Sequence, residues 1–357
     1  MRFVMFYHSL VSDWNHGNAH FLRGVATELL SRGHYVRILE PEDGWSRRNL
    51  LEAHGEQAVR EFEQAYPDLE SSTYDPGEPD LDAALDGADV VIVHEWNTRT
   101  LIARLGDRPR RYRVYFHDTH HRCVSDPEFA GELLRNYDGV LAFGESLRRH
   151  YQRRGWGSRV HVWHEAADTR VFKPVKRAAR CGDVVWIGNW GDDERTRELE
   201  EFLFAPVRAL KLRARAYGVR YPEEALSALA ASGIQYAGWA ANFRVPQIFS
   251  GFDTTVHVPR RPYREQLPGV PTIRVFEALA CGIPMVSAHW DDCENLFTPG
   301  RDYLAAKNGA EMTAMLSELM KNARLREKMA AHGLATIRDR HTCTHRVDEL
   351  LEIVREG

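Results

Sequence analysis

The chain has 357 residues, 43% of them hydrophobic, which is enough for two ordinary domains with a core each. Lys and Arg total 47 against 51 Asp and Glu, a net charge of -4, which argues against an obligatory nucleic-acid or anionic-membrane surface and leaves local basic sites and peripheral membrane contact open. The five cysteines are scattered, odd in number and never spaced Cys-x-x-Cys, so they suggest a reducing cytoplasm rather than a disulfide framework or structural zinc, and no apolar run has signal-peptide or membrane-spanning form.

Residues 3–10 are apolar and aromatic and predict a buried first strand. A polar loop with Asn15, His16 and Gly17 follows. Phe21, Leu22, Val25, Ala26, Leu29 and Leu30 then fall at helical spacing, and Gly33 stops the helix. Residues 35–39 predict the next strand, completing a βαβ unit. A nicotinamide-binding unit would want Gly-x-Gly-x-x-Gly at that first loop, and only Gly17 is present. Residues 46–87 are polar and helical in flavour, with Pro67, Pro76 and Pro79 marking loops.

Three further predicted strands each end in polar residues. Residues 90–93 deliver His94 and Glu95, residues 112–116 deliver His117, Asp118, His120 and His121, and residues 140–143 end in Gly144 and Glu145. Ligands bind at the carboxyl ends of strands in open α/β sheets, so the convergence is more informative than any one cluster. Residues 117–121 admit three readings: a zinc site, a solvated loop, or sugar contact with acid–base capacity carried by Asp118 or His120. A strand over 160–163, then His164 and residues up to Pro174, closes the first half; residues 173–182 are basic and aperiodic, as suits a linker.

The second half opens with a strand over 184–187 that ends in Gly188 and Asn189, where backbone can approach a ligand closely, with Arg195 placed to reach a phosphate. Strands over 214–217 and 235–238 follow, the latter ending in Gly238, Trp239 and Asn242, and another over 254–258 leads into a basic loop over 259–264. Residues 268–284 then read as loop, short helix and stop, with Gly269 in the loop, Thr272 as N-cap and Gly282 as terminator. A helix start with Arg274 beside it suits an anion, and Glu277 one turn on can accept hydrogen bonds from adjacent hydroxyls. The plainer alternative is a buried helix whose Arg274 and Glu277 simply pair at i, i+3. A helix over 312–331 broken at Gly333, and a last helix from 340 to 354, complete the chain.

Residues Phe276-Glu277-Ala278-Leu279-Ala280-Cys281-Gly282-Ile283-Pro284 resemble the signature of GT-B glycosyltransferases that use nucleotide sugars. Gly269 stands where many retaining members carry a sugar-contacting Glu, so the likeness is closer to the CgeB-like branch with its Arg-x-Phe-Glu form. The resemblance implies an α/β fold of two Rossmann-like domains with parallel sheets facing a cleft: an acceptor domain over 1–172 plus a returning helix over 340–357, a linker over 173–182, and a donor domain over 183–339. It further implies glycosyl transfer from a nucleotide-diphospho sugar to an acceptor hydroxyl, without cofactor or metal and with retention expected. Donor binding would involve Gly188, Asn189, Arg195, Gly238, Trp239, Gly269, Thr272, Arg274 and Glu277. Asn15, His16, Gly17, His94, Glu95, His117, Glu145 and His164 would face the acceptor, and Asp118, His120 and Arg274 would take part in the chemistry. A sugar-nucleotide epimerase and a non-catalytic sugar-nucleotide-binding protein are the alternatives.

Overall fold

The computed structural model describes residues 1–126, 128–129, 131–176 and 179–356, so residues 177–178 of the expected linker lie outside the described residues. Among the described residues no helix is long and apolar enough to cross a membrane. The chain forms two compact units, one of residues 1–165 with the C-terminal residues from 343, the other of residues 166–342.

The first unit carries strands β1 (Arg2–Phe6), β2 (Tyr35–Pro41), β3 (Ser71–Tyr74), β4 (Val90–His94), β5 (Arg113–Asp118), β6 (Gly139–Ala142) and β7 (Val160–Val162). They pair in parallel in the order β3-β2-β1-β4-β5-β6-β7. Helices α1 (Ala19–Ser31), α2 (Trp45–Ala65), α3 (Leu81–Leu85), α4 (Arg99–Asp107), α5 (Arg122–Ser125) and α6 (Glu145–Arg154) connect them. The apolar runs of β1 and β4 are buried on both faces, as a covered parallel sheet requires. Strand order reverses between β1 and β4, which opens a crevice at their carboxyl ends.

Two features of this unit depart from the sequence reading. The first strand ends at Phe6 rather than residue 10, although Tyr7, Leu10 and Val11 stay buried. Arg23 on α1 supplies the hydrogen bonds a neighbouring strand would have given: it donates to the carbonyls of Leu10 at 2.9 Å and Val11 at 2.8 Å and pairs with Asp13 at 2.9 Å. Strand β3 is polar and lies at the sheet edge, so it lacks the apolar pattern that announces a strand.

The second unit carries β8 (Gly182–Ile187), β9 (Ala214–Tyr217), β10 (Ile234–Tyr236), β11 (Phe252–His257), β12 (Met285–Ala288) and β13 (Leu304–Ala306), parallel and in the order β10-β9-β8-β11-β12-β13. Its helices are α7 (Thr196–Leu199), α8 (Ala205–Leu210), α9 (Glu223–Ala231), α10 (Val245–Ser250), α11 (Arg261–Glu265), α12 (Ile273–Ala280), α13 (Gly309–Lys321) and α14 (Ala323–Arg340). Alternate residues of β8 enter opposite cores, Val184 and Trp186 on one face, Val185 and Ile187 on the other. Here the order reverses between β8 and β11.

Residues 166–172 belong to this second unit and not to the first. Phe172 packs in its core with Val185 and Met285, and Ala167 bridges Thr342. The single helix expected over 312–331 is two helices. Asn322 ends α13 and caps α14 by accepting from the Leu325 amide, whereas Gly333 lies inside α14. A Cβ at Gly333 would sit 2.8 Å from Leu279 Cδ2 and 3.2 Å from the Asp302 carbonyl, so this glycine serves close packing of α14 on α12 rather than helix termination. The last helix, α15 (Cys343–Glu356), returns to the first unit and packs on α1, its backbone accepting a 2.8 Å bond from Trp163 Nε1 at Arg346.

Candidate active site

In the second unit the reversal point of the sheet and the start of α12 lie together. His257 ends β11 and joins Ser287 Oγ of β12 at 2.8 Å to Thr272 Oγ1 at 3.0 Å. Burial, with the charge of Arg195 as a lesser cause, depresses its pKa to about 3, so the ring is neutral and bridges two hydroxyls. Thr272 stands at the N-cap as the sequence implies, but its hydroxyl is engaged by His257 and makes no capping bond. The first turn of α12 is thereby left uncapped by its own threonine, with the positive end of its dipole at the loop.

Arginines gather beside this helix start. Arg195 is buried, lies 5.0 Å from the Trp186 ring centre, and donates to the Val258 carbonyl at 3.2 Å and to the Asn189 carbonyl. It thus ties the ends of β8 and β11 across the reversal point, and its Nε has no partner. Burial first, then the charges of Arg260 and Arg274, pull its pKa down to about 9. An anion placed here would offset that unfavourable concentration of charge. Arg274 is about a quarter exposed, with side-chain exposure 26%, and pairs with Glu277, which is 0% exposed and accepts a 3.0 Å bond from Asn242 Nδ2. The i, i+3 pair of the plainer reading is therefore present, and it lies beside the anion-favouring helix start.

The glycines at the strand ends allow this backbone to close up. Gly218, after β9, has φ of +151°, and a Cβ on it would fall 2.1 Å from the Gly188 carbonyl oxygen. Its amide donates to the Gly238 carbonyl at 2.9 Å, and Trp239 follows half-buried. Gly269 is held at φ +92° with Cys293 Sγ 2.3 Å from where a Cβ would be. That glycine therefore packs the loop on residues 291–293, a role in which a larger side chain has no room.

In the first unit, imidazoles cluster at the β1/β4 reversal point. The Tyr7 hydroxyl and His117 Nδ1 share a hydrogen bond of 2.5 Å. His94 bonds Thr119 Oγ1 through Nε2 at 3.0 Å, and the His8 and His16 rings stand 3.7 Å apart. Burial holds His8 and His117 at about 3 and pushes His16 and His94 well below the ordinary imidazole value, so all four are neutral. Burial raises the Tyr7 pKa, so its hydroxyl keeps its proton and donates to His117. Asn15 and Gly17 lie in the turn that feeds α1, Asn15 at φ +52°.

Several expected site residues are otherwise occupied. His117 and Asp118 point to opposite faces of β5, as consecutive strand residues must. Asp118 is fully buried, accepting from the Tyr151 hydroxyl at 2.7 Å and from the His120 amide at 3.0 Å, and burial raises it to about 6. It braces the β5 end against α6, on the face of β5 opposite His117. Glu95 is buried beside it, accepting from the Thr119 amide at 3.3 Å and hydroxyl at 3.4 Å, and is raised well above the usual carboxylate range by burial and then by the Asp118 charge. Glu145 pairs with Arg148 at 2.7 Å and Arg149 at 2.8 Å along α6, and His164 Nδ1 bonds the Phe143 carbonyl at 3.1 Å. His120 is half-buried, its ring 5.5 Å from that of Trp96. Among the described residues no three His, Cys, Asp or Glu side chains are grouped to hold a metal ion, so the zinc reading of residues 117–121 finds no ligand set.

Tyr7, His8, Arg23, Gly218 and His257 stand in or brace these two strand-end clusters, and the sequence reading did not single them out. Tyr7 and His8 sit inside the apolar run taken for strand, and His257 inside the run over 254–258. A polar aromatic residue at a strand's carboxyl end, the signal used for His94, would have found both histidines.

Residues 195–352 match the family model described as glycosyl transferase-like. No curated protein matches the chain. Among solved structures, Anabaena HepE in complex with UDP and glucose aligns with a TM-score of 0.71 at 14% identity, covering 100% of both chains. Sucrose-phosphate synthase from Thermosynechococcus elongatus aligns at 0.69 and 11% identity, over 100% of this chain and 99% of that one. The T4 phage enzyme BGT in complex with UDP and Mn2+ aligns at 0.66 and 14% identity, over 99% of each. The fold is therefore that of the GT-B structures with which it aligns, and the match to the glycosyl transferase-like model lies in the later part of the chain.

Proposed function

We propose that this protein transfers a glycosyl group from a nucleotide-diphospho sugar to an acceptor hydroxyl. The observation that carries the proposal is the junction of the β8 and β11 ends with the start of α12, where Arg195 and Arg274 stand beside a helix N-terminus whose threonine is turned away to His257. The diphosphate is held there, and Glu277 takes the ribose hydroxyls once Arg274 turns from it to the phosphate. Gly188, Asn189, Gly218 and Gly238 form the backbone edge along which the nucleoside lies, with Trp239 near its base. HepE and BGT are solved with UDP, which supports a nucleoside diphosphate as the ligand class.

Cleavage of the glycosidic bond builds negative charge on the leaving diphosphate while the sugar becomes oxocarbenium-like. Arg274, Arg195 and the α12 amides stabilise that charge as it develops, so no metal is required for it. The acceptor binds at the imidazoles of the first unit. Glu95 and Asp118 at the β4 and β5 ends are both buried, which favours retention over base-assisted inversion, with His120 the half-exposed group left for proton transfer. Incubation with UDP-, ADP- and GDP-sugars, with and without acceptors, tests the reading. Acceptor-dependent release of nucleoside diphosphate is expected; alteration of the sugar without acceptor would mark an epimerase, and no turnover with any donor would overturn the proposal.

A further inference from the structure

Trp96 stands directly after β4 and Glu95, at the strand end where the imidazoles of the first unit gather, and it is 46% exposed. An indole left half in water at such a position contrasts with Trp163, whose ring is buried in the same unit and whose Nε1 is bonded. Its surroundings hold it in place. The Arg122 guanidinium lies 4.5 Å from the ring centre, and Arg122 is itself fixed by the Glu95 carbonyl at 2.9 Å and by Asp126 at 2.7 Å. The rings of His8, at 6.0 Å and 58°, and His120, at 5.5 Å and 60°, flank the indole as tilted walls. His8 Nδ1 and His16 Nε2 have no hydrogen-bond partner in the protein. His8 as a residue is partly exposed.

A rigid, half-open aromatic floor flanked by two rings, of which the neutral His8 has unmet hydrogen-bonding capacity, fits a ligand with one apolar C–H face and a rim of hydroxyls. We infer that the acceptor is itself a saccharide, whose pyranose ring stacks on the exposed indole of Trp96 with its hydroxyls bonded to His8 and to the groups beside it. This rests on the transferase reading and names its acceptor class. Burial keeps the His8 ring neutral, which suits an uncharged sugar better than a phosphorylated one.

The test titrates wild-type protein, Trp96→Ala and Trp96→Phe with methyl glycosides of glucose, galactose, mannose and N-acetylglucosamine, and with the disaccharides maltose, cellobiose and lactose, following ligand signals by saturation-transfer NMR. UDP, ADP and GDP are titrated separately by thermal shift. Saturable binding of at least one sugar is expected, weakened at least about tenfold in Trp96→Ala and largely kept in Trp96→Phe, with the nucleotide responses of all three proteins alike. No sugar binding to wild-type protein, or equal binding to Trp96→Ala, would overturn the inference. A sugar response that depends on Trp96 in a protein that ignores every nucleotide would leave the stacking site standing and remove the transferase reading instead. Loss of both responses in Trp96→Ala with both kept in Trp96→Phe would assign Trp96 to folding and also overturn it.

Discussion

Gly218 shows how closely the nucleotide edge is built. Its φ of +151° and a Cβ position 2.1 Å from the Gly188 oxygen leave no room for a side chain, and the clashing atom is backbone. Gly218→Ala is expected to cost about 2–4 kcal/mol in urea denaturation, because the β8 and β9 ends must part. Glu277 sits in the same locality with both Arg274 and Asn242 bonded to it. Glu277→Ala strands those two donors and is expected to cost on the order of 1–3 kcal/mol of stability. If Glu277 receives the ribose, the same substitution also lowers nucleoside diphosphate affinity by at least about tenfold, whereas a purely structural pair would change stability alone. Sequence patterns reveal residues such as Thr272 and Arg274 because caps and anion sites have position rules. They do not reveal Arg23, whose partners lie 10 to 13 residues away and exist only once the chain has folded.

Elements were legible where their patterns are local. Strands β1, β4 and β8 and helix α12 follow from apolar runs and from stop signals close to their ends, and Gly33 and Gly282 fall just after their helices with φ of +77° and +66°. Polar β3 was not legible, since an edge strand owes its existence to hydrogen bonding with β2 rather than to burial. The division of residues 312–340 at Asn322 instead of Gly333 has a similar origin: a glycine's meaning depends on what packs against it, here Leu279 on α12. Helix α15 buries Val347, Leu350, Leu351 and Val354 in the first unit although it follows the second in sequence. Truncation after Thr342 would expose apolar surface on α1 and β5 and remove the partner of Trp163. The first unit of that variant is expected to be cleaved by trypsin well before the second; equal resistance of both units would contradict the assigned role of α15.

At the scale of the whole molecule, stability against acid follows from the imidazole cluster. His8 and His117 are held at about 3, and His16 and His94 well below 6.5, so unfolding takes up protons there as pH falls below about 6.5 and stability is lost. Asp118, raised from 3.8 to about 6, and Glu95, raised likewise in direction, act in the opposite sense, since the folded carboxyls hold protons that the unfolded chain releases. Four imidazoles outweigh two carboxyls, and the drop from 6.5 to about 3 exceeds the rise at Asp118. Each imidazole contributes up to about 2 kcal/mol at pH 5. The urea midpoint is therefore expected to be lower at pH 5 than at pH 7.5, and Asp118→Asn to widen the gap; a flat profile would place the imidazoles in water.

The claim on which the functional account rests is that a nucleoside diphosphate is held where α12 begins, by Arg274 and Arg195. Isothermal titration of UDP, ADP and GDP into wild-type protein and Arg274→Ala measures it directly. Binding of at least one of them is expected, with the dissociation constant raised about tenfold or more by the substitution, as loss of a charge-assisted contact implies. No binding by any of the three nucleotides, or the same affinity in both proteins, would contradict it.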